Sequence, residues 1–168
     1  ARLYTRPKAS PPIFGAAITN DTAEWVGGWA DGLITTGRPL HELKQTIEAF
    51  RRGGGEGRPV HLKVDLSYAR TENEALQGAW EQWRYLAFGN GILANTRTPE
   101  EFEAMAEYVR PEDMRKFVCV SADAEQHIAW LTDYVSLGID WISLHNVNRD
   151  QKRFIRDFGE TVLPAVLE

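Results

Sequence analysis

The feature that most constrains the fold is a pair of short apolar runs separated by a polar turn and a helix. Residues 12–17 read PIFGAA, which is typical of a short buried strand, and residues 32–36 read GLITT, which predicts a second strand. Between them, residues 21–29 have helical spacing, with Trp25 and Trp29 four positions apart on one face. A strand, a helix and a second strand in so short a stretch predict a βαβ unit with parallel strands.

The polar turn of this unit, residues 19–22 (TNDT), has two interpretations. Its side-chain oxygens and the unpaired N–H groups at the start of the helix suit an anion, and the small residues Ala16 and Ala17 would let a ligand approach the backbone. The same residues also suit a simple N-cap for the helix. From the residues alone, the N-cap is the favoured interpretation.

Composition limits the functions that remain. The chain has 168 residues, 43% of them hydrophobic, which is enough for one domain with its own core. A net charge of −5 with scattered signs argues against a nucleic-acid surface, and no apolar stretch approaches the roughly 18 residues of a membrane span. Cys119 is the single cysteine of the sequence and lies in the apolar run FVCV. We therefore expect an unreactive, buried thiol and a cytoplasmic protein.

The third predicted strand, residues 59–68, alternates between apolar and polar positions. Its polar side chains are His61, Lys63, Asp65 and Ser67. Such alternation is typical of a half-exposed antiparallel strand, but it also fits a barrel strand whose polar face lines the interior. The alternation by itself leaves both interpretations open.

Helices fill most of the remaining chain. They are predicted to begin at Pro39, at residue 70, at the capping box Thr98–Glu101, at Asp123, and at Arg149 or Asp150. A loop is expected at 89–91, an extended segment at 117–120, and the last strand at 141–145.

The resulting order is β-α-β-α-β, a long helical insert, then α-β-α, which predicts a parallel sheet with helices outside it. Four such units are half of an eight-unit barrel, and half a barrel has two open edges that need a covering partner. The opening residues ARLYTRPKASPPIF contain no initiator Met and read as a connecting segment. Both observations lead us to expect a fragment.

Two segments resemble a known family, namely PPIFGAAITNDTAEWVGGWADGLITTG and LGIDWISLHNVNRDQKRFIRDFGETVLPAVL. They are similar to the C-terminal half of the luciferase-like oxidoreductases, which use a flavin or coenzyme F420 and include monooxygenases. The nearest branches are the glucose-6-phosphate-dehydrogenase-like F420 enzymes and a sister group that uses an ordinary flavin. The resemblance implies that residues 1–168 are the C-terminal half of one (β/α)8 TIM barrel, with strands five to eight. Residues 70–117 then form the insert before the last strand.

The resemblance also implies a cofactor site in the loop after the first strand. In the family, backbone N–H groups and a hydroxyl of this loop hold the phosphate and ribityl chain of the cofactor. That role falls on Ala16, Ala17, Ile18, Thr19 and Thr22, so the resemblance favours phosphate binding over a simple N-cap. It does not distinguish F420 from FMN as the cofactor.

Substrate contacts are expected where the later strands end. The resemblance puts them at Thr35, Thr36, Arg38, His145 and Asn146, although a structural hydrogen bond is an equal alternative for the last two. The sugar-phosphate dehydrogenases of the family hold their substrate phosphate with three basic residues. Arg38 matches one of them, while the other two positions are Ala104 and Phe117. We therefore do not expect glucose 6-phosphate as the substrate.

The function implied is hydride transfer between F420 or FMN and a small organic substrate, with this chain anchoring the cofactor phosphate. The catalytic acid and base of the family lie in the N-terminal half, so no catalytic residue and no metal ligand is assigned here. We expect the chain to be inactive alone and to pair with an N-terminal half-barrel chain or with a second copy of itself. The alternatives are a non-catalytic flavin-binding or structural half-barrel that self-associates, and an unrelated α/β domain without a cofactor.

Overall fold

The computed structural model describes residues 7–167, apart from the side chain of Asn90. The first six residues of the predicted connecting segment lie outside the described residues. The strands are β1 (Phe14–Ala16), β2 (Gly32–Thr36), β3 (Val60–Ser67), β4 (Cys119–Val120) and β5 (Trp141–Asn146). The helices are α1 (Asn20–Gly27), α2 (Leu40–Phe50), α3 (Glu72–Trp83), α4 (Asn90–Asn95), α5 (Pro99–Ala106), α6 (Ala124–Val135), α7 (Gln151–Asp157) and α8 (Leu163–Leu167).

The chain divides into two compact units, one formed by residues 1–63 and 137–142 and the other by residues 64–136 and 143–168. In the first unit, β1 pairs in parallel with β2, and β2 pairs in parallel with residues 60–63 of β3. Gly15 lies opposite Leu33, and Thr35 lies opposite Leu62. The parallel pairing confirms the predicted βαβ unit at the start of the chain.

In the second unit, Leu66 and Ser67 of β3 pair in parallel with Cys119 and Val120 of β4. Strand β5 also pairs with β3, and here the N–H of Val147, just after β5, donates to the carbonyl of Leu66 at 2.8 Å. Strand β3 is therefore parallel to β2 and β4. This pairing agrees with the barrel interpretation of the alternating third strand and not with an antiparallel strand. The extended segment predicted at 117–120 is reduced to the two residues of β4.

The side chains of β3 follow the predicted alternation. Its apolar residues are buried, while His61, Lys63 and Asp65 are half-buried. Ser67 is the exception because it is buried and donates its hydroxyl proton to the carbonyl of Ala75 at 2.6 Å. A polar face that is neither solvated nor filled with apolar side chains is what the barrel interpretation requires.

Several predicted boundaries were wrong by a few residues. The helix predicted to begin at residue 70 starts after its N-cap Thr71 and gives way to a 3₁₀ turn at Arg84–Ala87. The loop predicted at 89–91 is wrong, since Gly89 is the N-cap of α4. The capping box at Thr98 and the N-caps Asp123 and Asp150 are confirmed.

Three tryptophans of the first unit lie at the surface. Trp25 is 66% exposed, and Trp29 and Trp141 are exposed as well. Helix α1 instead buries Ala23, Val26 and Gly27 against its neighbours, because a large ring would not fit where α1 approaches another backbone. On α6, Val135 is exposed and His127 is buried.

Within residues 7–167, no helix is both long enough and apolar enough to cross a membrane.

Candidate functional site

The loop between β1 and α1 is closed by its own side chains. The Thr19 hydroxyl oxygen accepts from the N–H of Thr22 at 3.3 Å, which makes Thr19 the N-cap of α1. The same hydroxyl donates to the Thr22 hydroxyl at 2.8 Å. The N–H of Ala17 donates to the carbonyl of Ile34 at 3.0 Å and so belongs to the sheet. The N-cap interpretation of the polar turn is therefore confirmed, and Ile18 and Thr19 remain exposed at the start of the helix.

Arg38 joins this loop to the end of the neighbouring strand. Its guanidinium donates to the carbonyl of Ile18, to the hydroxyl of Thr35 at 3.2 Å and to the carbonyl of Thr36 at 3.4 Å. Burial lowers the pKa of Arg38, an effect opposed by the nearby carboxylate of Glu42. The predicted cofactor loop and three predicted substrate residues are thus brought together at the carboxyl ends of β1 and β2.

The start of α1 is supported from the side by α2. The Thr46 hydroxyl, on α2, donates to the side-chain oxygen of Asn20 at 3.1 Å and to the carbonyl of Glu42 at 3.1 Å. Thr46 is buried. Both ends of the polar loop are therefore held by groups outside the loop, Arg38 on one side and Thr46 on the other.

The second unit has its own cluster of polar residues at the end of β5. His145 Nδ1 lies 2.7 Å from Oδ1 of Asp65 on β3, and the imidazole meets the ring of Trp83 edge-on at 4.8 Å between centroids. Sequence reasoning placed His145 in a pocket and Asp65 on the polar face of β3, but it did not predict that they pair. The alternation of β3, which puts Asp65 on the polar face, is the signal that could have suggested the pair.

Asn146 is buried and only partly satisfied. Its side-chain oxygen accepts from the N–H groups of Tyr68 at 3.1 Å and Asn148 at 3.4 Å. Its side-chain nitrogen is also buried, yet it has no hydrogen-bond partner among the described residues. The structural hydrogen bond, one of the two alternatives for this residue, is therefore present. The amide nitrogen remains a donor that a bound molecule could use.

Asn148 ties the segment after β5 to the rest of this unit. Its side-chain nitrogen donates to the hydroxyl of Ser67 at 3.3 Å and to the carbonyl of Glu74 at 3.1 Å. Gly78 faces this amide so closely that a Cβ atom there would overlap it. Neither Asn148 nor Gly78 was singled out from the sequence, because their role depends on a contact across 70 residues.

A recess of about 520 Å³ lies among the helices of the second unit. Tyr85, Arg97, Thr98, Pro99, Phe102 and Glu103 line it. The Tyr85 hydroxyl donates to Glu103 at 2.7 Å, and this bond raises the pKa of Tyr85 and lowers that of Glu103. Two polar groups of the recess, those of Tyr85 and Glu103, are therefore paired with each other.

Among the described residues, no three His, Cys, Asp or Glu side chains are grouped as a metal site. Burial raises the pKa of Cys119 to about 11. A thiol with that pKa is a weak nucleophile at neutral pH, so the prediction of an unreactive cysteine is supported, although Cys119 is half-buried rather than buried.

Comparison with known sequences identifies relatives that are about twice as long. The F420-dependent glucose-6-phosphate dehydrogenase of Amycolatopsis mediterranei (strain U-32) is 27% identical over 174 residues, covering 99% of this chain and 52% of the relative. The protein of the same description from Microbacterium testaceum (strain StLB037) is 28% identical with the same coverage. The chain therefore spans about half the length of the curated relatives it matches.

Solved structures give the same result for the fold. An F420-dependent secondary alcohol dehydrogenase, solved with an F420–acetone adduct, matches with a TM-score of 0.85 and 23% identity. That match covers 99% of this chain and 52% of the other. The coenzyme F420 dependent tetrahydromethanopterin reductase of Methanopyrus kandleri matches with a TM-score of 0.69 and 15% identity, over 91% and 50% of the two chains. At these identities the likeness concerns the fold, and it confirms the predicted α/β class. This chain covers about half the length of these TIM-barrel neighbours.

A family model described as luciferase-like monooxygenase matches residues 1–141. This is the family that the two quoted segments resemble, and the match covers far more than half of the sequence. The chain belongs to the luciferase-like monooxygenase family.

Proposed function

We propose that this chain is part of an F420-dependent oxidoreductase and that its first unit binds the phosphate of the cofactor at the start of α1. The relatives named above support F420, because the two curated ones and both solved structures are described as F420-dependent. FMN is the alternative cofactor, since another solved structure of similar fold, with a TM-score of 0.57, is described as a riboflavin lyase with modified FMN. When bound, F420 supplies the hydride chemistry.

The observation that carries this proposal is the arrangement around Arg38. A half-buried guanidinium held against the carbonyl of Ile18 puts a positive charge beside the exposed first turn of α1. The first N–H groups of a helix lack intrahelical partners and carry the positive end of its dipole. Asp21 brings a carboxylate into the same turn, but it is exposed, so water and salt screen its charge. The donors of this loop therefore fit a phosphate.

The predicted binding residues divide into two groups in this proposal. Ala16, Ile18 and Thr19 would face the phosphate, while Ala17 and Thr22 hold the loop through the hydrogen bonds described above. Thr35, Thr36 and Arg38 support the loop from β2. His145 and Asn146 of the second unit would contact the substrate. This role is supported by the side-chain nitrogen of Asn146, which is buried and has no hydrogen-bond partner among the described residues.

A cofactor titration tests the proposal. The native protein would be stripped of bound cofactor and titrated with F420, and separately with FMN, while the fluorescence of the cofactor is followed. In the variant Arg38→Gln, F420 should bind about tenfold more weakly, which is the expected cost of a lost charge-assisted hydrogen bond. Arg52→Gln is the matched control, because Arg52 belongs to the same unit, is exposed and pairs with the exposed Glu24 at 3.1 Å.

Three results would contradict the proposal. Equal affinities for F420 in both variants would remove Arg38 from the cofactor site. Tight binding of FMN together with no binding of F420 would reject F420 and favour FMN as the cofactor. A protein that binds neither cofactor would support the non-catalytic half-barrel.

We further propose a covering partner for the sheet. Among the described residues β1 pairs with β2 alone, and the neighbouring side chains of Ile13 and Trp25 are exposed. The chain also matches only half of its relatives, so a segment equivalent to their other half is the proposed occupant, and a single barrel is completed by the two. Native mass spectrometry would test this: a complex with a second, different polypeptide supports it, whereas a homodimer favours self-association and a monomer contradicts it.

We expect the substrate to be small and uncharged, because Ala104 and Phe117 stand where the resemblance implies basic residues. A secondary alcohol is the proposed class, since that is the substrate class in the description of the structural neighbour with a TM-score of 0.85. The cytoplasm remains the proposed location, as the single cysteine suggests.

A further inference from the structure

Two polar side chains from neighbouring strands form a pair that the phosphate site does not use. Asp65 of β3 and His145 of β5 are joined by a contact of 2.7 Å between Oδ1 and Nδ1. The Asp65 side chain is 12% exposed, whereas that of His145 is 40% exposed. The carboxylate is therefore shielded, while a ligand can still reach the imidazole.

The identity of the two atoms fixes what the imidazole can offer. An ionised carboxylate only accepts hydrogen bonds, so Nδ1 of His145 must carry the proton that it donates to Asp65. In a neutral imidazole the other nitrogen, Nε2, then has a lone pair and acts as an acceptor. Asp65 thereby selects one tautomer of His145.

The ring is also held in orientation. Trp83 meets it edge-on, with an interplanar angle of 74°. Next along the chain, the side-chain oxygen of Asn146 is bound to the N–H of Tyr68, so the end of β5 is tied to the end of β3. A ring fixed at one nitrogen and on one side presents its other nitrogen in a defined direction.

We infer that Asp65 and His145 form a hydrogen-bonding pair that binds the hydroxyl group of an alcohol substrate through Nε2 of His145. Asp65 is the positioning residue, and His145 contacts the substrate. This inference rests on the proposed function for the presence of an alcohol. It adds a preference for a ligand that donates a hydrogen bond, because an acceptor such as Nε2 gains nothing from a ketone oxygen.

Nitrogen NMR of the native protein tests the tautomer and the contact together. With ¹⁵N-labelled histidine, Nε2 of His145 should resonate as an unprotonated nitrogen and Nδ1 as a protonated one. Addition of 2-propanol, with and without F420, should move the Nε2 resonance upfield, since accepting a hydrogen bond has that effect. Acetone should leave the Nε2 resonance in place. A protonated Nε2, or an Nε2 signal that 2-propanol does not move in either condition, would overturn the inference.

The variant Asp65→Asn separates positioning from stability. We expect mixed tautomers at His145 and, in the complex with the covering partner proposed above, a fall of about tenfold in kcat/KM for 2-propanol. The dissociation constant of F420 should stay unchanged within about twofold. Asp133→Asn, an exposed change in the same unit, should alter none of these values. A variant in which His145 keeps a single tautomer would overturn the role of Asp65.

The two proposals fail in different ways. Loss of F420 binding in Arg38→Gln tests the phosphate site and does not involve the second unit. The NMR titration of the unsubstituted protein needs neither turnover nor a stable variant. An Nε2 signal that ignores 2-propanol in a protein that binds F420 would therefore reject this inference alone.

Discussion

A Cβ atom built on Gly53 would overlap the carbonyl oxygen of Glu24, so the turn after α2 touches α1 backbone to backbone. Gly27 makes the reciprocal contact, because its Cβ would overlap the carbonyl oxygen of Phe50. Two glycines thus allow α1 and α2 to approach more closely than any side chain would permit. This approach positions α1, whose first turn carries the proposed phosphate site.

Gly53→Ala should therefore destabilise the protein markedly. The added methyl group meets main-chain atoms, which cannot rotate away as a side chain would, so we expect a loss of about 2 kcal/mol or more in the free energy of unfolding. Urea denaturation followed by circular dichroism would measure it. Gly159→Ala is the control, since a Cβ there has nothing within 4 Å and lies in a helical segment, where alanine should stabilise the protein by up to about 1 kcal/mol. Equal stability of the two variants would contradict this account of the packing.

The bonds of Arg38 predict a local change in dynamics. In Arg38→Gln the carbonyl of Ile18 and the hydroxyl of Thr35 lose their shared donor, so the loop before α1 should open more often. Hydrogen exchange of residues 18–22 should become about tenfold faster, in keeping with one lost hydrogen bond to a charged group.

Hydrogen–deuterium exchange with mass spectrometry would measure the change at Arg38, with Arg52→Gln as the matched loss of charge. If exchange in residues 18–22 rises equally in both variants, the effect comes from net charge and not from the bonds of Arg38.

The elements of the first unit could be predicted because local signals and packing agree there. The strand at 32–36 was predicted with the bounds that the structure has, since its apolar run lies between a helix and a turn and is paired on both sides. Position Trp25 shows the limit of such reasoning. A ring at helical spacing indicates an apolar face, but not whether that face meets this chain or another polypeptide.

The site of the second unit was harder to predict. Asp65 and His145 are 80 positions apart, and nothing in either local sequence indicates that the two strands carrying them are neighbours. The loop predicted at residues 89–91 failed for a different reason, because glycine and asparagine favour helix starts as well as turns. A contact between distant residues can be seen only in the packed structure. The same holds for whether a glycine or asparagine begins a helix or forms a turn.

A buried histidine predicts how stability depends on pH. His127 lies among the rings of Tyr68, Trp130 and Phe158, and its Nε2 is 3.0 Å from the carbonyl of Ser121. Burial lowers the pKa of His127, while this carbonyl and the carboxylates of Glu72 and Asp123 oppose the shift. The unfolded chain therefore takes up a proton near pH 6.5 that the folded chain does not.

The free energy of unfolding should accordingly fall as pH decreases from about 7 through 6.5, which is the ordinary pKa of histidine. Urea denaturation at a series of pH values between about 8 and 5 would measure the slope. His127→Gln should reduce the slope, and His41→Gln, which changes an exposed histidine, should not. If His127→Gln keeps the full slope, other groups are responsible for it.

The thiol of Cys119 should react slowly in the folded protein. Burial raises its pKa to about 11, with Tyr134 as a hydrogen-bond partner and Asp65 as a nearby carboxylate. At pH 8 only about one thiol in a thousand is then ionised, compared with about one in four for an exposed cysteine of ordinary pKa. Reaction with a chromogenic disulfide reagent should thus be about a hundredfold slower in the native protein than in urea.

Between pH 7 and 9 the native rate should keep rising about tenfold per pH unit, because the thiolate fraction grows without reaching a plateau. A plateau near pH 8.5 would mean that Cys119 is exposed to solvent and that the packing around β4 is looser than the structure indicates.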